Sequence, residues 1–205
     1  MKIGILAVQG DFEAHGRAVA RLGATPVFVR AAGQLEGLDG LIIPGGESTT
    51  MLKALEDEGL FDPIRAFAAR RPVLGTCAGA ILMATEVSHP AQRSLGLIDM
   101  AIERNAYGRQ VDSHISKIPP TAEFSQRTGG PAQEEPLEGV FIRAPIIRRV
   151  GPGGIVLLRH QNDPVLVEQG SHLAATFHPE LTSDTRVHGL FLAKAAAAAE
   201  PVSKT

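Results

Sequence analysis

Residues 72–87, PVLGTCAGAILMATEV, decide the fold. The first five form a short apolar run typical of a buried strand, and the residues after Cys77 have the composition of a helix. The same order of apolar run, glycine-containing turn and helical segment occurs at 2–22 and again at 40–60, with a further strand predicted at 26–30. Strands that alternate with helices form a mostly parallel sheet covered on both faces. We therefore predict an α/β fold with three layers.

The second half of the sequence is less regular. Short apolar runs follow one another closely before a final alanine-rich helix, and this spacing predicts an antiparallel extension of the sheet. Residues 119–138 contain few large apolar side chains and many Pro, Gly, Gln and Glu, so we expect a long exposed loop there. Residues 200–205 are predicted to fray. Neither a repeat nor a second domain is indicated, so residues 1–205 are expected to form one domain.

Composition limits the possible functions. The chain has 205 residues, 44% of them hydrophobic, a formal charge of −2 and one cysteine. This charge gives no reason to expect nucleic acid or an anionic membrane as a partner. A single cysteine forms no internal disulfide, and the first apolar run is too short for a signal peptide or a membrane span, so we expect a cytoplasmic protein. Neither a metal nor an organic cofactor is predicted.

Cys77 is the candidate nucleophile because of its surroundings. It lies in GTCAG at 75–79, which is the G-x-nucleophile-x-G pattern of a sharp strand-to-helix turn, with sulfur in place of a serine oxygen. Such a turn holds the side chain above the carboxyl edge of the sheet and at the positive end of a helix, which favours a thiolate. Most free cysteines are only small buried hydrophobes. The flanking glycines favour the reactive interpretation here.

A thiol nucleophile requires a base, and His178 is the candidate. It is the one histidine followed two residues later by a carboxylate, in His178-Pro179-Glu180. Because proline biases the preceding residue toward an extended backbone, we expect the side chains of His178 and Glu180 to project to the same side. Glu180 would then orient the imidazole. The sequence HPE alone is equally typical of a surface turn and gains weight only together with Cys77.

The glycine pair in GGESTT at 45–50 follows a predicted strand and precedes a helix. Backbone N–H groups at such a turn bind anions, although no Gly-Lys-Ser/Thr follows that would make this a nucleotide loop. The N–H groups of Gly46 and Ala78 would together form an oxyanion hole. An ordinary turn in which Ser48 or Thr49 caps the next helix is the alternative, and the two roles are compatible. Gln9 lies beside the first turn of the chain and is a further candidate for ordering the oxyanion hole.

Taken in chain order, these motifs resemble the class I glutamine amidotransferases and, within them, the glutaminase subunits of pyridoxal 5'-phosphate synthase. GTCAG and HPE are typical of the whole superfamily, whereas the longer motifs are specific to these subunits. The residues that carry the resemblance are LAVQGDFEAH at 6–15, LIIPGGESTTM at 41–51, GTCAGAILMA at 75–84, ERNAYGRQVDS at 103–113, VFIRAP at 140–145 and FHPELT at 177–182.

The resemblance implies a flavodoxin-like fold and a catalytic triad of Cys77, His178 and Glu180. It further implies a binding site for L-glutamine, formed by Gly46, Glu47, Ser48, Arg104, Ile142 and Arg143. Arginines suit a substrate that carries an α-carboxylate, although each would otherwise be taken for a solvated surface charge.

The implied reaction is hydrolysis of glutamine through a thioester, with ammonia passed to a (β/α)8-barrel synthase subunit that builds pyridoxal 5'-phosphate. Two alternatives remain open, because fold and triad do not set the acceptor. One is a thiol peptidase, or a glutaminase that serves another pathway. The other is a binding subunit that has kept the fold without turnover.

Overall fold

The computed structural model describes residues 1–105, 113–129 and 135–199. The described part of the chain contains twelve strands and six α-helices. They are, in order, β1 (Lys2–Leu6), α1 (Phe12–Arg21), β2 (Thr25–Val29), β3 (Gly40–Ile43), α2 (Ser48–Asp57), α3 (Phe61–Ala68), β4 (Val73–Thr76), α4 (Ala78–Met83), β5 (Ala84–Ser88), β6 (Ile98–Glu103), β7 (His114–Ile118), α5 (Ala122–Thr128), β8 (Leu137–Phe141), β9 (Ile146–Val150), β10 (Ile155–His160), β11 (Asp163–Gln169), β12 (His172–Ala175) and α6 (Arg186–Ala199).

A seven-stranded sheet forms the centre of the molecule, in the order β10-β11-β12-β4-β3-β1-β2. The five strands from β12 to β2 are parallel, while β10 and β11 extend the sheet in an antiparallel arrangement. The predicted parallel sheet with an antiparallel extension is therefore confirmed. Two small sheets lie beside it: β5-β6-β9, and the antiparallel pair β7-β8.

Apolar side chains cover the central sheet on both faces. Helices α2 and α3 contribute residues such as Met51 and Phe67 to the core on one face, whereas α1 and α6 contribute Val19 and Phe191 to the core on the other. The parallel strands β1, β3, β4 and β12 are buried over nearly their whole length, whereas the edge strand β2 is only partly buried. Helices on both faces leave the carboxyl ends of β3, β4 and β12 as the edge where a site can form.

The helix predicted after Cys77 is shorter than expected. Helix α4 ends at Met83, and residues Ala84–Ser88 form strand β5, which pairs with β6. Side chains stabilise this change of backbone: the Thr85 hydroxyl donates to the carbonyl of Met100 at 3.1 Å, and the Ser94 hydroxyl donates to the carbonyl of Ala84 at 2.6 Å. The sequence ATEVS therefore forms a strand because distant partners pair with it.

The prediction of a continuous loop at 119–138 is wrong for residues Ala122–Thr128. They form α5, which Thr121 caps by accepting a hydrogen bond from the N–H of Phe124 at 3.1 Å. Phe124 is fully buried in the core beside α6, and Nε of Arg127 lies 3.1 Å from both carboxylate oxygens of Glu168, so an apolar and a charged contact hold the helix in place. The tail predicted to fray, 200–205, lies outside the described residues. None of the helices in the described part has the length and apolar character needed to span a bilayer.

Candidate active site

Cys77 occupies the turn between β4 and α4. Its backbone has φ 48° and ψ −105°, a conformation that non-glycine residues rarely adopt. The N–H of Cys77 donates to the carbonyl of Ala175 in β12 at 2.8 Å, which fixes the turn to the neighbouring strand. The side chain is 6% exposed. Ala78 is the first residue of α4, so its N–H has no acceptor within the helix.

The glycines around Cys77 are required by close packing. A Cβ on Gly79 would overlap the carbonyl oxygen of Ile43, and a Cβ on Gly75 would lie 2.6 Å from the carbonyl carbon of Gly79. A Cβ on Gly45, in the loop after β3, would overlap the ring of His178 and lie 3.3 Å from Cβ of Cys77. The turn can therefore lie against β3 and against the histidine only because these three positions lack side chains.

His178 and Glu180 lie just beyond the end of β12. The N–H of His178 donates to the carbonyl of Val140 at 2.8 Å, and its Nδ1 lies 2.6 Å from Oε1 of Glu180. The expected contact is present, but the expected extended backbone is not. Pro179–Leu181 form a 3-10 turn, and Glu180 reaches back to His178 from within it.

The surroundings of His178 favour its charged form. Burial lowers the pKa of the ring, but hydrogen bonding and charge at Cys77 and Glu180 outweigh burial and raise this pKa to about 10. Burial likewise acts to raise the pKa of the Glu180 carboxyl, yet His15 and His178 hold it below the ordinary value. With Nδ1 engaged by Glu180, the buried Nε2 of His178 has no well-aligned hydrogen-bond partner among the described residues. It is therefore free to exchange a proton with the thiol.

The loop between β3 and α2 carries the predicted oxyanion and substrate residues. Glu47 is the N-cap of α2, and its carboxylate accepts hydrogen bonds from the N–H groups of Thr49 at 3.0 Å and Thr50 at 2.7 Å. Burial acts to raise the pKa of Glu47, but these bonds lower it to about 2. The side-chain oxygen of Gln9 accepts from the N–H of Glu47 at 3.3 Å, so Gln9 contacts this loop as expected.

Arg104 is a buried arginine, at 7% exposure, that follows β6. Its guanidinium donates to the hydroxyl of Thr49 at 2.8 Å, to Glu47 at 3.4 Å and to the carbonyl of Pro90 at 3.5 Å. A guanidinium has five N–H donors, so these contacts orient it without using all of its hydrogens.

Ile142 and Arg143 form the loop between β8 and β9, on the opposite side of the thiol. The carbonyl oxygen of Ile142 lies 3.9 Å from Sγ of Cys77. Arg143 has φ 45°, so the chain turns sharply directly beside the thiol.

One cavity of about 170 Å³ joins these elements. Cys77 and His178 of the predicted triad line it, and every residue predicted to bind glutamine lines it as well; Glu180 lies behind His178. The cavity is small for a ligand site, which suits a substrate of amino-acid size. Its lining residues are Gly46, Glu47, Ser48, Cys77, Ile81, Arg104, Asn105, Ile142, Arg143, Pro145 and His178. A larger groove of about 710 Å³ lies between α1 and the 3-10 turn but contains no nucleophile.

A match to a protein family shows which proteins this chain is related to. Residues 5–197 match the model of the SNO glutamine amidotransferase family. The chain belongs to that family. It is 60% identical over 193 residues to a protein of Solibacter usitatus named pyridoxal 5'-phosphate synthase subunit PdxT, a match that covers 94% of this chain and 98% of the relative. A protein of Koribacter versatilis with the same name is 54% identical, and the match covers 94% of each chain.

Solved structures with the same fold include other amidotransferases. A crystal structure described as a glutamine amidotransferase superposes with a TM-score of 0.84 at 44% identity, and the match covers 95% of this chain and 98% of that one. The structure of PurLQS from Thermotoga maritima has a TM-score of 0.64 at 15% identity, with 94% of this chain and 97% of that one covered. The latter shares the fold alone. The α/β fold predicted from the sequence is thus shared within the amidotransferase family and beyond it.

Several residues at or near the cavity were missed from the sequence. Asn105 follows Arg104 and has φ 53°; its side chain donates to the carbonyl of His89 at 3.2 Å. Its position within the ERN motif was a usable signal. Thr49, which holds the guanidinium of Arg104, was considered only as a helix cap. His15 has no carboxylate two positions after it in the sequence, yet its Nε2 lies 3.4 Å from Oε2 of Glu180.

Proposed function

We propose that this chain is the glutaminase subunit of a pyridoxal 5'-phosphate synthase, which hydrolyses L-glutamine to L-glutamate and ammonia and passes the ammonia to a (β/α)8-barrel synthase subunit. The observation that carries the proposal is the cavity lined by a thiol, by a buried arginine and by a histidine that a carboxylate contacts from behind. The family and the names of the relatives support the choice of substrate and of partner.

Substrate binding would use the charged side chains that line the cavity. The guanidinium of Arg104 has N–H groups left to bind the α-carboxylate of glutamine, with Arg143 on the opposite wall. The carboxylate of Glu47 stays ionised because hydrogen bonds keep its pKa at about 2, so it can attract the α-ammonium group. Two fixed charges at one end of glutamine would place its side-chain amide beside the thiol.

The first half of the reaction would form a thioester. The Cys77 thiolate attacks the amide carbon, and the N–H groups of Gly46 and Ala78 stabilise the oxyanion. His178 is protonated at rest because its pKa is raised to about 10, so it can supply a proton to the departing nitrogen. Collapse of the tetrahedral intermediate breaks the C–N bond, releases ammonia and leaves neutral His178.

The second half would hydrolyse the thioester. Neutral His178 removes a proton from water, which attacks the acyl carbon, and the intermediate collapses with Cys77 as the leaving thiolate. The products are the γ-carboxylic acid, which releases its proton to solvent to become glutamate, and a restored thiolate–imidazolium pair. Glu180 keeps the ring in one orientation through both halves. A cytoplasmic location belongs to the same proposal, since a reducing compartment keeps the lone thiol in its reactive form.

The test measures glutamate release by wild type and Cys77→Ala, each alone and with the purified synthase subunit. Glutamine labelled with ¹⁵N in its amide then shows whether the nitrogen enters pyridoxal 5'-phosphate. We expect hydrolysis that rises with the partner, transfer of the label, and background activity in Cys77→Ala. Absence of hydrolysis even with the partner would overturn the proposal. Cleavage of peptides without release from glutamine would indicate a peptidase, and a thiol that no alkylating agent labels would indicate a binding subunit.

A further inference from the structure

A cluster of buried polar side chains lies behind Glu180, on the side away from His178. His15 on α1 and His188 on α6 are both fully buried, and Nδ1 of His15 lies 2.9 Å from Nε2 of His188. Nε2 of His15 lies 3.1 Å from Oγ1 of Thr76 and 3.4 Å from Oε2 of Glu180. The cluster therefore joins two helices and the end of β4 to the carboxylate that contacts the proposed base.

The contacts determine where the protons lie. Glu180 is ionised, so a nitrogen beside its Oε2 must present an N–H rather than a lone pair, which assigns the proton of His15 to Nε2. If His15 is neutral, its Nδ1 is an acceptor, and His188 must donate from Nε2. Nδ1 of His188 then carries only a lone pair. This agrees with its lack of a hydrogen-bond partner among the described residues, because a buried acceptor without a partner is tolerated better than a buried N–H.

Both rings are held in the neutral form. Burial is the main effect that lowers the pKa of His15; His178 acts in the same direction, and Glu180 and Asp11 oppose it. Burial also lowers the pKa of His188 to about 3, with His15 and Arg21 acting in the same direction and Glu180 and Asp184 against it. His15 therefore contacts Glu180 as a dipole, and the full negative charge of the carboxylate remains available to His178.

We propose that His15 is a positioning residue for the glutaminase reaction: its Nε2–H orients the Glu180 carboxylate toward His178, and His188 fixes the tautomer of His15. This inference rests on the proposed function. Nε2 of His15 is hydrogen-bonded to Thr76, and Oε2 of Glu180 makes no hydrogen bond among the described residues, so at 3.4 Å His15 acts on the carboxylate as a nearby N–H dipole. Without His15 this buried oxygen would lose that dipole as well, which is costly for a carboxylate. The pKa of the Glu180 carboxyl, which His15 helps to lower, would then rise, and the carboxylate would be less firmly oriented toward His178.

Two substitutions separate positioning from packing. In His15→Gln the side-chain amide can place an N–H near the position of Nε2, whereas in His15→Asn the shorter side chain reaches only the position of Nδ1. Both variants bury a neutral amide, and thermal unfolding measures any shared loss of stability. The readout is the rate at which iodoacetamide alkylates Cys77 as a function of pH, which requires neither glutamine nor the synthase subunit.

We expect His15→Asn to move the midpoint of the His178 titration to lower pH and to slow alkylation at pH 7 by about tenfold, which is well below the loss from removing a triad carboxylate. His15→Gln should remain within about threefold of wild type. Equal alkylation profiles for wild type and His15→Asn would overturn the inference. A second measurement needs no variant: ¹⁵N shifts of wild-type His15 should show the Nε2–H tautomer, and an Nδ1–H or cationic ring would equally overturn it.

The outcome is separable from that of the proposed function. A protein that fails to hydrolyse glutamine, yet shows the alkylation difference between His15→Asn and His15→Gln, would refute the glutaminase and keep the positioning role. A protein that hydrolyses glutamine with the same pH profile in wild type and in His15→Asn would keep the glutaminase and refute the positioning role.

Discussion

The two sides of the cavity are built in different ways. The thiol side, formed by Cys77, His178 and the glycine at position 45, is fixed by contacts that leave no space for a single added carbon. The substrate side, formed by Glu47, Arg104, Ile142 and Arg143, is fixed by hydrogen bonds of long side chains and by turns in loops. Both sides contain non-glycine residues with positive φ, so strained backbone alone does not distinguish them.

The difference follows from what each side must do. Proton transfer between sulfur and nitrogen fails with displacements of less than an ångström, and a close-packed backbone allows few of them. Recognition of charged groups tolerates more movement, because electrostatic attraction falls off slowly with distance. Substitutions on the thiol side should therefore reduce turnover strongly, whereas those on the substrate side should have small effects that depend on pH.

The largest effect is expected for Glu180→Gln. The amide has the shape of the carboxylate but no charge, so the pKa of His178 should fall from about 10 toward or below its ordinary value of 6.5. Because the protonated ring would then be lost at lower pH, the alkaline limb of kcat/KM should move to lower pH. The maximum should fall by about 10⁴-fold, as when a triad carboxylate is neutralised.

The measurement is a pH profile of glutamine hydrolysis with the synthase subunit present, and Glu36→Gln, at an exposed position, is the matched control. An alkaline limb that stays in place in Glu180→Gln would show that the carboxylate does not set the charge of His178.

Gly45→Ala should have the next largest effect. The added Cβ overlaps the ring of His178 and approaches Cys77, so one of the two must move. We expect kcat to fall by about 100-fold, as for a displacement near 1 Å, and the free energy of unfolding to fall by about 1–3 kcal/mol. Gly33→Ala is the control, because a Cβ on Gly33 has no atom within 4 Å. Turnover equal to wild type in Gly45→Ala would mean that the thiol side is not as rigid as the packing indicates.

The thiol side was also the part that the sequence predicted best. GTCAG encodes its turn within five consecutive residues, and HPE places base and carboxylate two residues apart, so local pattern was sufficient. The extended backbone expected at His178-Pro179-Glu180 is nevertheless wrong, because Glu180 lies in a 3-10 turn. On the substrate side, the local sequence pattern does not distinguish Arg104 and Arg143 from solvent-exposed surface arginines. Only the resemblance to a family selects them as binding residues.

The errors have a common physical cause. Strand β5 follows α4 without a break in the apolar run, and its pairing with β6 depends on residues ten or more positions away. Helix α5 has Phe124 as its one large apolar side chain, which gives too little periodicity to predict a helix, and Arg127 binds Glu168 41 positions away. His15 meets Glu180 across 165 positions of sequence. Contacts between residues so far apart in the sequence produce no local sequence pattern from which they could be predicted.

Glu47→Gln should have the smallest effect of the three substitutions, a loss of unfolding free energy that depends clearly on pH. The folded state holds the pKa of this carboxyl at about 2, below the ordinary 4.5, so the ionised form stabilises the fold above pH 4.5. That contribution is lost as the pH falls from 4.5 toward 2. The side chain is 45% exposed and solvent screens it, so we expect a loss of only about 0.5–1 kcal/mol at pH 7, as for other helix caps.

Urea unfolding at a series of pH values from 7 to 3 measures this difference, with Glu36→Gln again as the control. The gap between Glu47→Gln and wild type should be constant near neutrality and should narrow below pH 4.5. A gap that does not change with pH would assign the loss to packing of the side chain. A further outcome is that the stability difference narrows at low pH while Glu47→Gln keeps the wild-type turnover at saturating glutamine. The substrate side would then have lost a charge without disturbing the thiol, and the two sides of the cavity would be independent.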